Sequence, residues 1–245
     1  MSTHESRASL STFTTTLHWM QKPNDPEMLQ LYLRPIQKQP LSLTVMVRPL
    51  DSDRIIINFP SAGEDCDGPG GRYKRLADLM YQQKLGAVVR SNNPGSELFL
   101  PSTYLSRLID YTIRRARLIS GTTNPDLLLI GYSSGASAVA ALAASYQKVS
   151  RILLIAPSGD MPQTSVQKSL SQFTGEVYTI IGEDDEVVGA RAGYIYHDLA
   201  TAASRKQLVI VSDCGHSFQG EQNERVLQQA PFHAFNRSEL VRWGY

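Results

Sequence analysis

The chain has 245 residues, with 24 Lys and Arg against 23 Asp and Glu, and two cysteines. A net charge of +1 lacks the basic excess that is typical of nucleic-acid-binding proteins. The two cysteines cannot form a disulfide framework, and they stand in no metal-ligand spacing. The apolar runs reach about eight residues, far below the roughly 20 that span a bilayer, and the N-terminus lacks the pattern of a secretory signal. The composition therefore predicts a soluble, cytoplasmic protein without a membrane span or a nucleic-acid partner.

The first 27 residues are polar and rich in Ser and Thr. We interpret them as a loose N-terminal arm with one edge strand near residues 13–19. Two strand-like stretches follow at 28–34 and 41–47, around a turn rich in Pro and Gln, which is typical of an antiparallel hairpin. Since no linker or internal repeat interrupts residues 28–245, we expect them to form a single domain.

From residue 54 onward, short apolar runs alternate with segments of helical spacing. The run Leu127-Leu128-Leu129-Ile130 has no polar residue on either face, which is typical of a parallel strand covered by helices. Residues 134–146 are rich in Ala almost all round, as expected for a helix packed tightly on a sheet. This alternation predicts an α/β fold, with a mostly parallel central sheet and helices on both faces. The predicted parallel strands are 54–59, 86–90, 126–132, 151–156, 176–181 and 207–212.

A G-x-S-x-G motif, Gly131-Tyr132-Ser133-Ser134-Gly135, lies between an apolar strand and the Ala-rich segment. In such a turn the strand enters the helix so sharply that side chains at Gly131 and Gly135 would clash. The hydroxyl of Ser133 then projects above the sheet, where the N–H groups of the helix N-terminus favour a developing negative charge. Motifs of this kind also occur in ordinary turns, but the strand before it and the helix after it favour a nucleophile.

On these residues the chain resembles the α/β-hydrolase superfamily, over about residues 28–230. The resemblance implies a nucleophile, an acid and a histidine in that chain order. We expect neither a cofactor nor a metal. The run Gly68-Pro69-Gly70-Gly71 lacks the G-K-[ST] ending of a phosphate-binding loop, and Asp65 and Asp67 are more typical of a turn than of a metal site.

The acid is predicted where Gly182-Glu183-Asp184-Asp185, after the strand 176–181, is similar to the G-x-x-D turn of the superfamily. This register selects Asp185, with Asp184 as the alternative, because four acidic residues follow one another. His216 comes soon after the last predicted strand, where the superfamily carries its general base. The other histidines fit the order or the context less well: His4 and His18 precede the serine, His197 lies in a predicted helix, and His233 lies in the C-terminal tail.

The resemblance further implies two backbone N–H donors that would stabilise an oxyanion. One is Ser134, the residue after the nucleophile. The other is Ser61 or Ala62, in the loop after the strand 54–59. Superfamily members often have His-Gly in this loop, whereas this chain has Pro60-Ser61-Ala62-Gly63, so the choice between the two donors stays open.

The segment 157–175, between two predicted strands, has room for one helix but not for a separate cap domain. We therefore expect a fairly open site that favours small or exposed acyl groups. Residues 92–95 and 99–101 follow another strand towards the same rim. They are interpreted either as part of a substrate pocket or as an ordinary surface loop.

Together these residues predict a serine hydrolase that cleaves a carboxylic ester or thioester of a small-molecule substrate through an acyl-enzyme. The same residues would also serve an amidase, a peptidase or an acyltransferase, and a non-catalytic binding protein could keep the fold. The presence of Ser133, Asp185 and His216 together argues against the non-catalytic alternative. The sequence predicts no oligomeric state.

Overall fold

The structure is a computed structural model that describes residues 28–33, 41–95, 101–158 and 164–236. In these residues eight strands form one sheet, which runs in the order β1-β2-β4-β3-β5-β6-β7-β8. In chain order the strands are β1 (Met28–Leu33), β2 (Leu41–Arg48), β3 (Arg54–Phe59), β4 (Ala87–Ser91), β5 (Asp126–Tyr132), β6 (Val149–Ile155), β7 (Glu176–Gly182) and β8 (Arg205–Val211). The pairs β1–β2 and β2–β4 are antiparallel, and the other pairs are parallel.

The described residues also form seven α-helices: α1 (Arg72–Gln82), α2 (Pro101–Arg114), α3 (Ala116–Ser120), α4 (Ser134–Leu142), α5 (Thr164–Gln172), α6 (Arg191–Leu199) and α7 (Glu221–Phe235). Helices α1 and α7 cover one face of the sheet, and α2 to α6 cover the other. In β5, Leu127 and Leu129 pack on the face that α2 to α6 cover, whereas Leu128 and Ile130 pack on the face that α1 and α7 cover. Burial on both faces explains why the strand has an unbroken apolar run.

The predicted architecture, a mostly parallel sheet with helices on both faces and a leading antiparallel hairpin, is confirmed. Strands β3 and β5 have the predicted bounds, and the ends of the other parallel strands differ by one or two residues. Strand ends depend on the pairing of the neighbouring strand, which apolar runs alone do not specify. The N-terminal arm and its predicted edge strand lie outside the described residues.

The segment between β6 and β7 is the one in which the sequence analysis looked for a cap domain over the site. Its described part holds one nine-residue helix, α5. Val166 and Leu170 of this helix are buried in the same apolar layer as α4, so α5 packs on the body of the domain. This agrees with the expectation of one helix without a cap domain. Within the described residues, no helix combines the length and the apolar character needed to cross a bilayer.

Parallel pairing places the carboxyl ends of β3, β5, β7 and β8 at one edge of the sheet. The loops that follow these strands therefore meet above that edge, where open α/β sheets bind their ligands. The predicted site residues lie in these four loops, although up to 155 positions separate them in the sequence, from Ser61 to His216.

Candidate active site

Ser133 lies in the turn between β5 and α4, and its φ of +48° is in the left-handed region. A Cβ atom on Gly131 would lie 2.5 Å from the Cα of Ala136. A Cβ atom on Gly135 would approach the carbonyl oxygen of Pro60 more closely still. Both approaches are far inside van der Waals contact, so glycine alone fits at the two positions. The turn has the steric character predicted from the motif, and it holds Ser133 at the edge of the sheet.

His216 connects the serine to a carboxylate. Its Nε2 lies 3.2 Å from Ser133 Oγ, and its Nδ1 lies 2.9 Å from Asp185 Oδ2. The side chain of Asp185 is fully buried, and that of His216 is 17% exposed. Because an ionised carboxylate only accepts hydrogen bonds, Nδ1 is the protonated nitrogen, and Nε2 is left to accept the hydroxyl of Ser133. This arrangement can remove a proton from the serine during nucleophilic attack.

The carboxylate of Asp185 is fixed through both of its oxygens. Its Oδ1 accepts the N–H groups of Val187 and Val188 at 3.0 and 2.9 Å, while Oδ2 accepts from His216. Asp184, the alternative from the sequence, is exposed, and its own N–H donates to the carbonyl of Cys214. The structure therefore brings Asp185, and not Asp184, against the histidine.

Gly182 and Glu186 hold the loops of Asp185 and His216 together. A Cβ atom on Gly182 would collide with the carbonyl oxygen of Cys214, so the loops after β7 and β8 pack backbone to backbone. Glu186 Oε2 also accepts the N–H of His216 at 3.3 Å. Both contacts hold the histidine loop against the acid loop. The glycine was visible in the sequence as the start of the G-x-x-D turn, but the surface that it contacts was not.

The loop after β3 is held by side-chain acceptors. The N–H of Ser61 donates to Glu64 Oε2 at 3.0 Å, and the N–H of Ala62 donates to Ser134 Oγ at 2.9 Å. The same oxygen of Glu64 accepts the hydroxyl of Tyr73 at 2.6 Å. Both backbone donors predicted in this loop are thus already hydrogen-bonded. Sequence reasoning missed Glu64, which belongs to no recognisable motif, and the Ser134 hydroxyl, because the motif leaves the residue after the nucleophile unspecified.

The segment 92–95 supports this loop from below. Asn93 is fully buried, and its Nδ2 donates to the carbonyl of Pro60 at 3.1 Å. Its own carbonyl accepts the N–H of Gly63 at 2.7 Å, and its N–H donates to the carbonyl of Glu64 at 2.9 Å. Residues 92–95 are not among those that line the cavity beside Ser133. Asn93 therefore braces the loop after β3, while Gly95 is exposed. For the segment as a whole, the pocket and the surface loop stay predictions. Residues 99 and 100 lie outside the described residues.

A cavity of about 280 Å³ opens beside Ser133 and His216. Its lining combines charged, aromatic and aliphatic side chains, among them Glu64, Arg72, Tyr73, Tyr132, Phe218 and Leu227. Burial, the nearby Tyr132 and the Glu64 carboxylate raise the pKa of Tyr73, so its hydroxyl remains a donor to Glu64. The Nε atom of Arg72 is buried without a hydrogen-bond partner among the described residues. The cavity is therefore the size of a small molecule, and its lining includes both charged and apolar side chains.

Unusual backbone conformations concentrate around the site. Among the described residues, five that are not glycine have positive φ, and four of these follow β5, β6 or β8 at the edge of the sheet that carries the site: Ser133, Ala156, Asp213 and Phe218. Each costs on the order of 1 kcal/mol relative to an ordinary conformation, and such residues tend to cluster at functional sites. The packed sheet beneath the loops supplies the stability that maintains them.

The remaining candidates lie elsewhere. His197 on α6 contacts its neighbour Asp198 at 3.1 Å, and His233 lies on α7. Asp65 Oδ1 accepts the N–H groups of Asp67 and Gly68, which confirms the turn predicted there. His4 and His18 lie outside the described residues. Cys214 is fully buried, and burial raises the pKa of its thiol to about 11, so it is not a competing nucleophile near neutral pH.

Comparisons with known proteins show the family of the chain. The model of the dienelactone hydrolase family matches residues 96–239, over half of the chain. No curated protein sequence matches the chain. Among solved structures, Est1E from Butyrivibrio proteoclasticus superposes with a TM-score of 0.63 at 14% identity, over 82% of this chain and 95% of that one.

Two further solved structures have a similar fold. An alpha-beta serine hydrolase homologue from Coxiella burnetii gives a TM-score of 0.61 at 18% identity, over 85% of this chain and 97% of its own. The Pyrococcus furiosus esterase Pf2001 gives 0.63 at 12% identity, over 90% and 100%. At such low identities the structural similarity shows the fold alone, whereas the match to the family model shows the family of the chain. The chain therefore belongs to the dienelactone hydrolase family, a group of ester-cleaving enzymes within the α/β-hydrolase superfamily.

Proposed function

We propose that the protein is a serine hydrolase that cleaves a carboxylic ester or thioester of a small molecule through an acyl-enzyme. The observation that carries the proposal is the continuous hydrogen-bonded relay from Ser133 through His216 to Asp185, with distances of 3.2 and 2.9 Å. Each member lies in a loop at the carboxyl edge of the sheet, beside a cavity that opens on the serine and the histidine.

In the acylation step, Ser133 Oγ attacks the carbonyl carbon while His216 Nε2 takes the hydroxyl proton. The carboxylate of Asp185 holds the Nδ1–H and stabilises the imidazolium that forms, and its own orientation is fixed by the N–H groups of Val187 and Val188. The imidazolium then protonates the leaving alcohol or thiol. In the second half of the reaction, His216 activates a water molecule, which attacks the acyl-enzyme and releases Ser133.

The negative charge on the carbonyl oxygen needs donors at the same edge. Ser134 is the first residue of α4, and the N–H groups of the first helical turn have no acceptor within the helix. The positive end of the helix dipole points in the same direction. The loop after β3 faces this helix end, since Gly135 packs against Pro60. We therefore propose that the backbone N–H of Ser134 and a group of the β3 loop, Ser61 or Ala62, stabilise the oxyanion.

The cavity supports a small substrate. A volume of about 280 Å³ holds a compact ester, and the charged side chains of Glu64 and Arg72 in its lining favour polar groups over a long alkyl chain. Membership of an ester-cleaving family supports the ester over an amide or peptide bond. The intact relay argues against a purely binding role, because binding alone requires no activated serine.

Covalent labelling with a fluorophosphonate probe tests the proposal. The probe should modify Ser133, as located by peptide mass mapping, because only a serine activated by a base reacts rapidly. Ser133→Ala should abolish the label and lower kcat by ~10⁴-fold or more. Ser137→Ala is the control, since this serine lies one turn further along α4 and contacts Ser158 and Tyr196. A label that persists in Ser133→Ala, or that maps to Ser134, would contradict the proposal.

A further inference from the structure

Two serine hydroxyls meet where the loop after β3 touches the start of α4. Ser61 Oγ and Ser134 Oγ are 3.3 Å apart. Ser134 Oγ also accepts the N–H of Ala62 at 2.9 Å. The backbone N–H of Ala62, one of the donors expected for the oxyanion, therefore already has an acceptor in the resting enzyme. Neither hydroxyl belongs to the relay of Ser133, His216 and Asp185.

The two hydroxyls can form a directed chain of hydrogen bonds. Each hydroxyl donates one bond and accepts others. Since Ser134 Oγ accepts from Ala62, its proton is available to the nearby Ser61 Oγ. The proton of Ser61 is then free to point away from this pair. Hydrogen bonds in such a chain polarise and strengthen one another, so the last hydroxyl becomes a better donor than an isolated serine.

Ser61 lies on the cavity that holds the reacting atoms. Ser61 lines the same cavity as Ser133 and His216, whereas Ala62 is not among the lining residues. Its backbone is held in place, because its N–H is bonded to Glu64 Oε2 at 3.0 Å. The close packing of Gly135 on Pro60 keeps the loop against the helix end that presents the N–H of Ser134.

We propose, resting on the proposed function, that the Ser61 hydroxyl is a side-chain donor to the oxyanion. Ala62 acts on the oxyanion indirectly, through the hydroxyl of Ser134, which is a positioning residue. When Ser133 Oγ adds to the carbonyl carbon, its proton passes to His216 and the carbonyl π electrons move to the oxygen. The Ser61 O–H and the Ser134 N–H then donate to that oxygen. Ser61 and Ser134 themselves neither form nor break a covalent bond.

Steady-state kinetics on a short activated ester test the proposal. Ser61→Ala should lower kcat by about 10²-fold, the usual effect of removing one oxyanion donor, with KM nearly unchanged because the donor acts mainly on the transition state. A trifluoromethyl ketone, which forms a charged adduct with the serine, should bind more weakly by the same factor. Ser61→Thr, which keeps a hydroxyl, should restore most of both quantities.

The second variant probes the chain itself. Ser134→Ala removes the intermediate hydroxyl but frees the N–H of Ala62, so its kcat should fall less than that of Ser61→Ala. The double variant should resemble Ser61→Ala, since the two hydroxyls act in series. Unchanged kcat and ketone affinity in Ser61→Ala would overturn the inference, as would additive losses in the double variant. Fluorophosphonate labelling of Ser133 in each variant separates this outcome from failure of the proposed function, in which the wild-type protein would not be labelled.

Discussion

The turn after β5 and the loop after β3 face each other across the candidate site, and they are held by different forces. Steric exclusion shapes the turn, because Gly131 and Gly135 leave no room for a Cβ atom. Hydrogen bonds from side chains shape the loop, through Glu64, Asn93 and Ser134. The turn is shaped by backbone atoms that lie close to its two glycines, in Ala136 of α4 and in Pro60 at the end of β3. The loop depends on partners from three other places, which are Asn93 after β4, Tyr73 of α1 and Ser134 of α4.

The difference explains how each region responds to substitution. In the turn and in the acid loop, one added methyl group or one lost charge acts directly on the reacting atoms. In the loop after β3, several weak bonds share the positioning, so removing one of them leaves the others in place. Variants of these regions should therefore lower kcat by different factors. The factor should be largest in the acid loop and smallest in the loop after β3.

The acid loop should be the least tolerant. Asp185→Asn should lower kcat by about 10³–10⁴-fold without unfolding the protein, because the imidazole loses the partner that fixes its tautomer. Asp184→Asn, one residue away and exposed, is the matched control and should change kcat less than about twofold, as expected for a surface carboxylate without a contact to the histidine. Steady-state kinetics of both variants measure this. The reverse ranking would place the acid at Asp184.

The contact between the two regions can be broken directly. Gly135→Ala drives a methyl group against the carbonyl of Pro60, so we expect kcat to fall by about 10²-fold as the oxyanion donors separate. The stability should fall by about 1–3 kcal/mol, the usual cost of overpacking. Gly175→Ala is the control, because its added Cβ would likewise approach a backbone carbonyl, that of Ser150, at the amino ends of β6 and β7, the edge of the sheet opposite the site. It should lower stability while kcat stays unchanged, as measured by urea unfolding and steady-state kinetics.

Substitutions in the hydrogen-bonded loop after β3 should lower kcat less. Glu64→Ala removes the acceptor of the Ser61 N–H and of the Tyr73 hydroxyl. A bond to a charged group contributes about 1.5–3 kcal/mol, and since other bonds still hold the loop, we expect kcat to fall only about 10-fold. Tyr73→Phe keeps the hydrogen bond that the Ser61 N–H donates to Glu64, so its kcat should fall less. Equal losses in the two variants would show that Tyr73, rather than Glu64, positions the loop.

The smallest effect concerns the substrate. Each buried methylene stabilises a complex by about 0.8 kcal/mol, roughly fourfold in affinity. Because the segment between β6 and β7 has no cap in its described part, most of a long acyl chain would stay in water. We expect kcat/KM for p-nitrophenyl esters to peak between about two and six carbons, an order-of-magnitude expectation from that gain per methylene, and to show no rise at an oil–water interface.

A series that keeps rising through the C8, C10 and C12 esters would contradict this expectation. Repeating it after deletion of residues 1–25 would then show whether the N-terminal arm covers the site.

Most of the fold could be predicted from the sequence, because the patterns that indicate it are local. The unbroken apolar run of β5 indicates burial on both faces. The G-x-S-x-G motif indicates a steric requirement through two glycines that lie within five residues. Ester hydrolysis on an α/β-hydrolase fold, predicted from these residues, agrees with the family. The cytoplasmic location and the assignment of residues 1–27 as a separate arm stay predictions.

The supports of the site could not be predicted in the same way. Asn93 and Glu64 lie in stretches without a motif, and their contacts join residues on different strands. Asn93 was expected in a pocket or on the surface, but it is buried under the loop after β3. The choice between Asp184 and Asp185 was open for a related reason. The sequence contains adjacent carboxylates, and only the turn that bonds Val187 and Val188 decides which one points at His216.

By itself the sequence determined the fold class, the order of the strands along the chain, and the serine, acid and histidine candidates with one register left open. These features depend on hydrophobic periodicity and on sterics within a few residues, which act wherever the chain goes. Only the tertiary structure decided which carboxylate lies against His216, the burial of Asn93 beside the loop after β3 and the contact between Ser61 and Ser134. Hydrogen bonds require atoms within about 3.5 Å. Residues 73 positions apart come that close only when the sheet brings the ends of β3 and β5 together.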